Sequence, residues 1–240
     1  GGAHSFDGSR IRIAEVTRGD LVRDINADGR VTASNSPTLY AIAPGIVHLS
    51  IVAGDKVTKG QELAVIDSPE LRSKLVQEES TLASLEAEAS RAVLDAQITR
   101  ANAQRARDQA EIDRTAAMRD LERYQRAYAG GAVAQNDLAR AQDMLKKADI
   151  GLAAAQRDAQ LQGAGAGLDA RNKQLQAQRQ RAVVEEAQRQ VDALTLRAPF
   201  DGQVGQVQVP QGTSVTANGP VLSVVDLSRF EVEIKVPESF

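Results

Sequence analysis

The chain has 240 residues, 42% of them hydrophobic but only 3% aromatic, with no tryptophan and no cysteine. Alanine supplies much of that apolar fraction and buries little area, against about 1.5–3 kcal/mol for a buried Leu, Ile or Phe, so one large globular core is excluded and an elongated protein is expected. The net charge is −3 with the signs interspersed, which leaves no basic footprint for nucleic acid, and the missing cysteines exclude disulfides and thiolate chemistry.

The chain opens on Gly1-Gly2 without methionine, which suggests a processed or trimmed form. No signal peptide is evident, and no run reaches the roughly 18–20 apolar residues of a membrane span. "DINADGR" at residues 24–30 matches the first half of a calcium loop. Its twelfth position is Asn35 where a bidentate glutamate is required, so a turn between strands is expected and no metal site.

Two similar phrases follow, far apart. The first runs from Gly45 through Val47, Leu49 and Ile51, alternating with His48 and Ser50, to Gly54-Asp55-Lys56-Val57, Gly60 and "LAVID" at 63–67. The second runs from Gly202 through Val204, Val207 and Val209 to Gly212-Thr213-Ser214-Val215, Gly219 and "LSVVD" at 222–226. Each reads as strand, glycine turn, short strand, glycine turn, strand. The second has one extra residue before Gly212 and another before Gly219, so bulges or longer turns should mark it. An isolated hairpin is marginal in water, so the two copies are expected to pack on each other, with Val65 and Val224 in one core.

Between the copies, Ser68-Pro69 is a helix start: a capping hydroxyl, then proline at the first helical position. A 3/4 spacing runs from Leu71 and Leu75 through Leu82, Leu85, Ala89, Ala96 and Ala103 to Ala106 and Ala110, and less regularly to Tyr124 and Tyr128. Gly130-Gly131 stops it, and Asn136 or Asp137 can start a second helix. The second seam runs from Leu138 and Ala141 to Ala159, then through Leu168 and Leu175 to Val184, Ala187 and Val191. Two helices of roughly 60 residues make an antiparallel hairpin about 90 Å long, slender and expected to pack sideways against copies of itself. "QGAGAGLD" at 162–169 predicts a break, bulge or hinge, since each glycine costs roughly 1 kcal/mol relative to alanine. It lacks the preceding strand and Lys-Ser/Thr of a phosphate loop.

No constellation supports catalysis, and no cofactor or metal site is expected. His4 and His48 have neither ligand spacing nor a neighbouring nucleophile, and the hairpin carboxylates, such as Asp120 near Arg123, read as helix-face ion-pair partners.

"APGIVHLSIVAGDKVTKGQELAVIDSPEL", a long helical hairpin, and "LTLRAPFDGQVGQVQVPQGTSVTANGPVLSVVDLSRFEVEIKVPES" together resemble the periplasmic adaptor (membrane fusion protein, HlyD-like) family of tripartite efflux and secretion systems, over about residues 10–240. The resemblance implies an α+β fold: a split lipoyl/biotinyl-like β-domain with a long inserted antiparallel coiled-coil hairpin, plus part of a β-barrel. The implied divisions are N-terminal barrel or membrane-proximal strands at 10–36, a first lipoyl half at 37–68, the α-helical hairpin at 69–197 with its tip at about 128–135 and an irregularity at about 162–168, a second lipoyl half at 198–228, and the start of a barrel at 229–240. The barrel is expected to be incomplete in this chain.

The implied function is non-enzymatic: a periplasmic subunit of a Gram-negative bacterium, anchored to the inner membrane in full-length form. It would link an inner-membrane exporter to an outer-membrane channel of the TolC type and self-associate into a ring, commonly hexameric. The opening "EVTRGDLVRDINADGRV" resembles adaptors of MacB-type ABC exporters more than those of RND transporters. Many family members carry at the tip an arginine, a leucine four residues on and a serine or threonine seven beyond. Aligning "RYQRAYAGGAVA" places Arg123 at the arginine, whereas Ala127 and Ala134 depart from the other two, and Tyr128 and Val133, flanking Gly130 and Gly131, would supply the apolar contact. Two other readings are a biotin- or lipoate-carrier protein and a structural coiled-coil protein without a transport role. The carrier lysine belongs on the turn between the halves, which the hairpin replaces, and Lys56 sits in a different turn.

Overall fold

The computed structural model describes residues 29–33, 35–228 and 230–234, the first and last of these ranges by backbone alone. The remaining parts of the expected barrel segments, including most of the calcium-like loop, lie outside the described residues. The chain divides into two compact units, one of residues up to Arg72 together with those from Arg189, the other Ser73–Gln188.

In the first unit, β1 (Gly29–Ala33) pairs antiparallel with β10 (Phe230–Ile234), so segments from the two ends of the chain form one ribbon. Between them lie β2 (Thr38–Tyr40), β3 (Gly45–Leu49), β4 (Lys56–Val57) and β5 (Glu62–Asp67), and, after the helices, β6 (Thr195–Arg197), β7 (Gly202–Val207), β8 (Ser214–Val215) and β9 (Pro220–Val225). They form two four-stranded sheets, ordered β2-β9-β7-β4 and β6-β5-β3-β8. Each sheet takes its two central strands from one copy of the repeat and its two edge strands from the other. Neither copy can complete a sheet alone, and the shared core contains Val47, Leu63 and Ile66 from the first with Val204, Val221, Leu222 and Val224 from the second, all at 2% exposure or less. Each such side chain contributes about 1.5–3 kcal/mol of burial.

The first and fifth strands of this sandwich, β2 and β6, extend the repeat at its start. Thr38-Leu39 and Thr195-Leu196 open the two copies in the same way, so residues 195–197, expected as the end of the hairpin, belong to the sandwich through the pairing of β6 with β5. The backbone hydrogen bonds then fix a correspondence that differs from the one read from the phrases themselves. Gly60 N–H donates to Ala198 O at 2.8 Å and Asn218 N–H to Ala41 O at 2.7 Å; Ile66 N–H donates to Leu194 O and Val224 N–H to Pro37 O. "LAVID" therefore corresponds to Val221–Val225 and not to Leu222–Asp226, and β5 and β9 share one inside–outside pattern.

The correction has a physical basis. A strand alternates its faces, so buried positions must match buried positions, whereas matching the shared Leu and Asp sets half-buried Val65 on fully buried Val224. Val65 thus lies outside the core, and Ile66 is the counterpart of Val224. Only the extra residue before Gly212 is present, and it is absorbed by a register shift between Val204 and Val207 where β7 pairs with β9. The second is absent because Asn218, at φ 63°, occupies the left-handed position held by Gly60 at φ 83°. Asparagine tolerates that conformation better than most side chains.

The second unit is formed by the bulk of two helices, α1 (Pro69–Ala129) and α2 (Gln135–Asp192). Leu71 N–H donates to Ser68 Oγ at 3.4 Å, the cap expected from Ser68-Pro69, and the buried Ser68 is thereby satisfied. Along the arms the buried positions are small, and the central ones are seven residues apart: Ala89, Ala96 and Ala103 on α1, Gly163, Ala170 and Ala177 on α2, which also buries Ala141 and Ala187.

Two expectations for the second helix are corrected. α2 is continuous through 162–169. Gly163 and Gly167, one turn apart, make room for the side chain of Arg100 from α1: a Cβ on Gly163 would lie 3.6 Å from Arg100 Cγ, one on Gly167 only 2.9 Å from Arg100 Nη2, and that guanidinium donates to Gly163 O at 3.4 Å. The seam passes through Gly163, Ala170 and Ala177, so Leu168 and Leu175 lie off it at 66% and 37% exposure. On α1, Ala106, Tyr124 and Tyr128 are likewise exposed. Asp120 and Arg123 pair along α1 as expected, and other charges bridge the arms, as in Arg114 with Asp149, Arg181 with Glu86 at 3.0 Å and Lys173 with Glu88 at 3.6 Å.

Candidate functional site

Of the tip residues singled out from the sequence, Gly130, Gly131, Val133 and Ala134 lie in the turn joining α1 to α2, and Arg123, Ala127 and Tyr128 lie in the last two turns of α1. α1 stops because Gly131 takes φ 74°, which closes a paired C-terminal cap: Ala132 N–H donates to Ala127 O at 2.8 Å and Gly131 N–H to Tyr128 O at 3.0 Å. Gly130 N–H donates to Arg126 O at 3.2 Å in the last helical turn. α2 starts from Ala134, whose carbonyl accepts from Asp137 and Leu138, so the second helix begins without the side-chain cap expected from Asn136 or Asp137.

The turn is thus fixed by backbone bonds, while its side chains are presented outward. Arg123, Tyr128, Gly130, Gly131 and Ala134 are exposed, and Ala127 and Val133 are half-buried. Arg123 pairs with Asp120 one turn back on α1, which holds its guanidinium on the helix surface rather than over the loop. Tyr128 is 44% exposed and Tyr124 37%, giving the end of the hairpin two aromatic rings with polar tips. Such rings are suited to a partner surface that is partly apolar.

Behind the turn, an open groove of about 630 Å³ lies between the arms. Its lining includes alanines at 110, 116, 117, 141 and 148 together with Asp113, Asp120, Tyr124, Arg140, Met144 and Lys147. The sequence reading did not single this groove out. Its signal was the replacement of large seam residues by alanine on both arms near the turn, which leaves space that longer side chains would fill.

Elsewhere the chemistry-bearing residues remain dispersed. His48 is exposed on β3, and Lys56 is exposed on the edge strand β4, paired with Gln203. His4 lies outside the described residues. Among the described residues no group of three or more His, Cys, Asp or Glu could hold a metal ion, and no helix is long and apolar enough to cross a membrane.

Comparison with known proteins yields a family match, described as CzcB-like, barrel-sandwich hybrid domain, over residues 38–226. The chain is 28% identical over 230 residues to the macrolide export protein MacA of Escherichia coli O157:H7, covering 93% of this chain and 52% of that protein. It is 23% identical over 242 residues to the multidrug resistance protein MdtA of Yersinia pestis (strain Pestoides F), covering 100% of this chain and 43% of that protein. The chain thus spans about half the length of the curated relatives it matches. Among solved structures, MacA from Actinobacillus actinomycetemcomitans superposes with a TM-score of 0.50 at 20% identity, over 85% of this chain and 53% of that chain.

Proposed function

The chain belongs to the CzcB-like barrel-sandwich hybrid domain family, and from that membership we propose that it is the adaptor part of an export pump. In this reading it works in the periplasm of a Gram-negative bacterium, linking an inner-membrane transporter to an outer-membrane channel of the TolC type, without a catalytic step. The observation that carries the proposal is the combination of a sandwich interleaved from two half-repeats with two helices of 61 and 58 residues emerging between the halves. Helices of that length are each about 90 Å long at 1.5 Å per residue, so the turn that joins them is a contact surface well removed from their other ends. A carrier domain has no use for that reach.

The proposed channel-docking surface is Arg123, Ala127, Tyr128, Gly130, Gly131, Val133 and Ala134. The rigid backbone cap supports this assignment, because a preorganised turn loses less entropy on docking. Arg123 stands at the arginine of the family pattern, and Tyr128 and Val133 supply the apolar contact where Ala127 and Ala134 depart from it. The proposed transporter is of the ABC class, on the residues at 15–31, and the proposed assembly is a ring, commonly six copies in the family resembled.

The test is complementation of a strain lacking the gene. Wild type restores efflux, whereas Tyr128→Ala and Arg123→Asp reduce it, and a photo-crosslinker at position 128 captures the outer-membrane channel. Unchanged efflux in both variants together with absent channel capture would sink the docking assignment. A lipoyl or biotinyl mass on the native protein would overturn the adaptor reading in favour of a carrier.

A further inference from the structure

Midway along the hairpin, away from the turn, a second open groove of about 670 Å³ lies between the arms. Its volume falls in the range of small-molecule sites, about 300–1,000 Å³. Arg100, Gln104 and Arg107 line it from α1, Gln156 and Gln160 line it from α2, and every other lining residue is alanine or glycine. Charges of both signs are interspersed along the two arms, yet no carboxylate lines this groove.

The two arginines keep their charge uncompensated. Arg72, Arg91, Arg114, Arg123 and Arg181 each pair with a carboxylate. Arg100 and Arg107 are in no ion pair among the described residues: Arg100 Nη2 donates to Gly163 O at 3.4 Å, and Arg107 Nη2 donates to the neutral Gln104 Oε1 at 2.7 Å. Gln104 Nε2 in turn donates to Asp108 Oδ1 at 2.8 Å, so the carboxylate next to Arg107 is held by a carboxamide instead. On the facing arm Gln156 and Gln160 are exposed one turn apart, and their carboxamides are open to a ligand. Residues seven apart rise about 10.5 Å along a helix. The groove thus presents two unneutralised guanidinium groups two turns apart, with amides and small residues between them.

We propose that this mid-hairpin groove binds an extended organic dianion, a dicarboxylate whose acid groups lie about 10 Å apart, one on Arg100 and the other on Arg107. A guanidinium meets a carboxylate through two parallel N–H···O bonds, and one such fork per acid group balances its single negative charge. The alanines and glycine of the lining leave room for the connecting chain, while Gln156 and Gln160 donate to the carboxylates or to polar atoms along it. A ligand so placed bonds to both arms at once. It ties α1 to α2 along a stretch where the buried seam residues are only alanine and glycine. The site rests on the hairpin alone and is independent of the adaptor reading.

Nonanedioate, whose carboxylates stand about 10 Å apart at full extension, matches the rise of seven residues and is the probe. Propanedioate is too short to span the two arginines, and nonanoate carries only one charge. NMR titration of the whole chain at low salt, where screening is weak, gives saturable nonanedioate binding about tenfold or more tighter than that of either control. Arg100→Gln and Arg107→Gln each weaken it about tenfold, and so does Gln160→Glu, a nearly isosteric change at an exposed position that brings a negative charge into the groove. Arg105→Gln removes the same charge outside the groove lining and leaves the affinity unchanged. Saturating nonanedioate raises the Tm of the wild type and not that of Arg107→Gln. The proposal is overturned if nonanedioate does not bind, if propanedioate or nonanoate binds as tightly, or if Arg105→Gln weakens binding as much as Arg107→Gln. Efflux and channel capture do not depend on these outcomes, so failure here is distinguishable from failure of the adaptor reading.

Discussion

Replacing the glycines of the 162–169 tract one at a time by alanine tests whether they serve the helix or break it. In a continuous helix each Gly→Ala gains about 0.8–1.0 kcal/mol of propensity. Gly165 has open space where a Cβ would go, so Gly165→Ala receives the whole gain. At Gly163 the new methyl would sit 3.6 Å from Arg100 Cγ, an ordinary contact, and the gain is again about 1 kcal/mol. At Gly167 it would lie 2.9 Å from Arg100 Nη2, which is the far end of a flexible side chain. The guanidinium moves aside and gives up its long bond to Gly163 O, at a cost of about 0.5–1 kcal/mol that offsets most of the gain. The expected order is Gly165→Ala equal to Gly163→Ala, both above Gly167→Ala, with Tm increases of about 2–4 °C for the first two. In an Arg100→Ala background Gly167→Ala rises to match Gly165→Ala. Thermal unfolding by far-UV circular dichroism reads all four comparisons. Destabilisation by Gly165→Ala, as a hinge with non-helical backbone would give, refutes the reasoning; so does equal behaviour of the three sites whether or not Arg100 is present.

The sandwich supplies two further predictions. A Cβ on Gly45 would lie 2.3 Å from Asp67 O and one on Gly202 2.2 Å from Val225 O, both backbone atoms of a paired strand, so Gly45→Ala and Gly202→Ala each destabilise by about 1–3 kcal/mol or more; denaturant unfolding showing one harmless and the other severe would contradict the equivalence of the two halves. Ile66→Ala and Val224→Ala, at fully buried equivalent positions, each lower stability, the isoleucine by about 2–5 kcal/mol, whereas Val65→Ala costs less than Ile66→Ala because it is half-exposed. The reverse ranking of Val65 and Ile66 would restore the register read from "LAVID" and "LSVVD".

Local signals made the ends of the elements legible in the sequence. Ser68-Pro69 starts α1, Gly131 ends it, and glycines bound the strands of both half-repeats, because capping and left-handed turns depend on residues a few positions apart. The tip was legible for the same reason: Arg123 to Ala134 are neighbours along the chain, and the turn between two helices must be at an end. The heptad spacing of Ala89, Ala96 and Ala103 likewise announced the face of α1 that meets α2.

Only the tertiary structure decided what depends on partners distant in sequence. Alternation shows that a strand has two faces but not which residue of the other half lies opposite, so the one-residue offset between Leu63–Asp67 and Val221–Val225 emerges only from the bonds to Ala41, Ala198, Leu194 and Pro37. The interleaving of the halves follows from the same long-range pairing. Propensity counts a glycine's cost in isolation, and the continuity of α2 through Gly163 and Gly167 depends on Arg100 lying across them from the other arm. Leu168 and Leu175 illustrate the last limit: leucines at heptad spacing mark an apolar face, and it is the packing of small residues at 163, 170 and 177 that turns that face away from the hairpin's own seam.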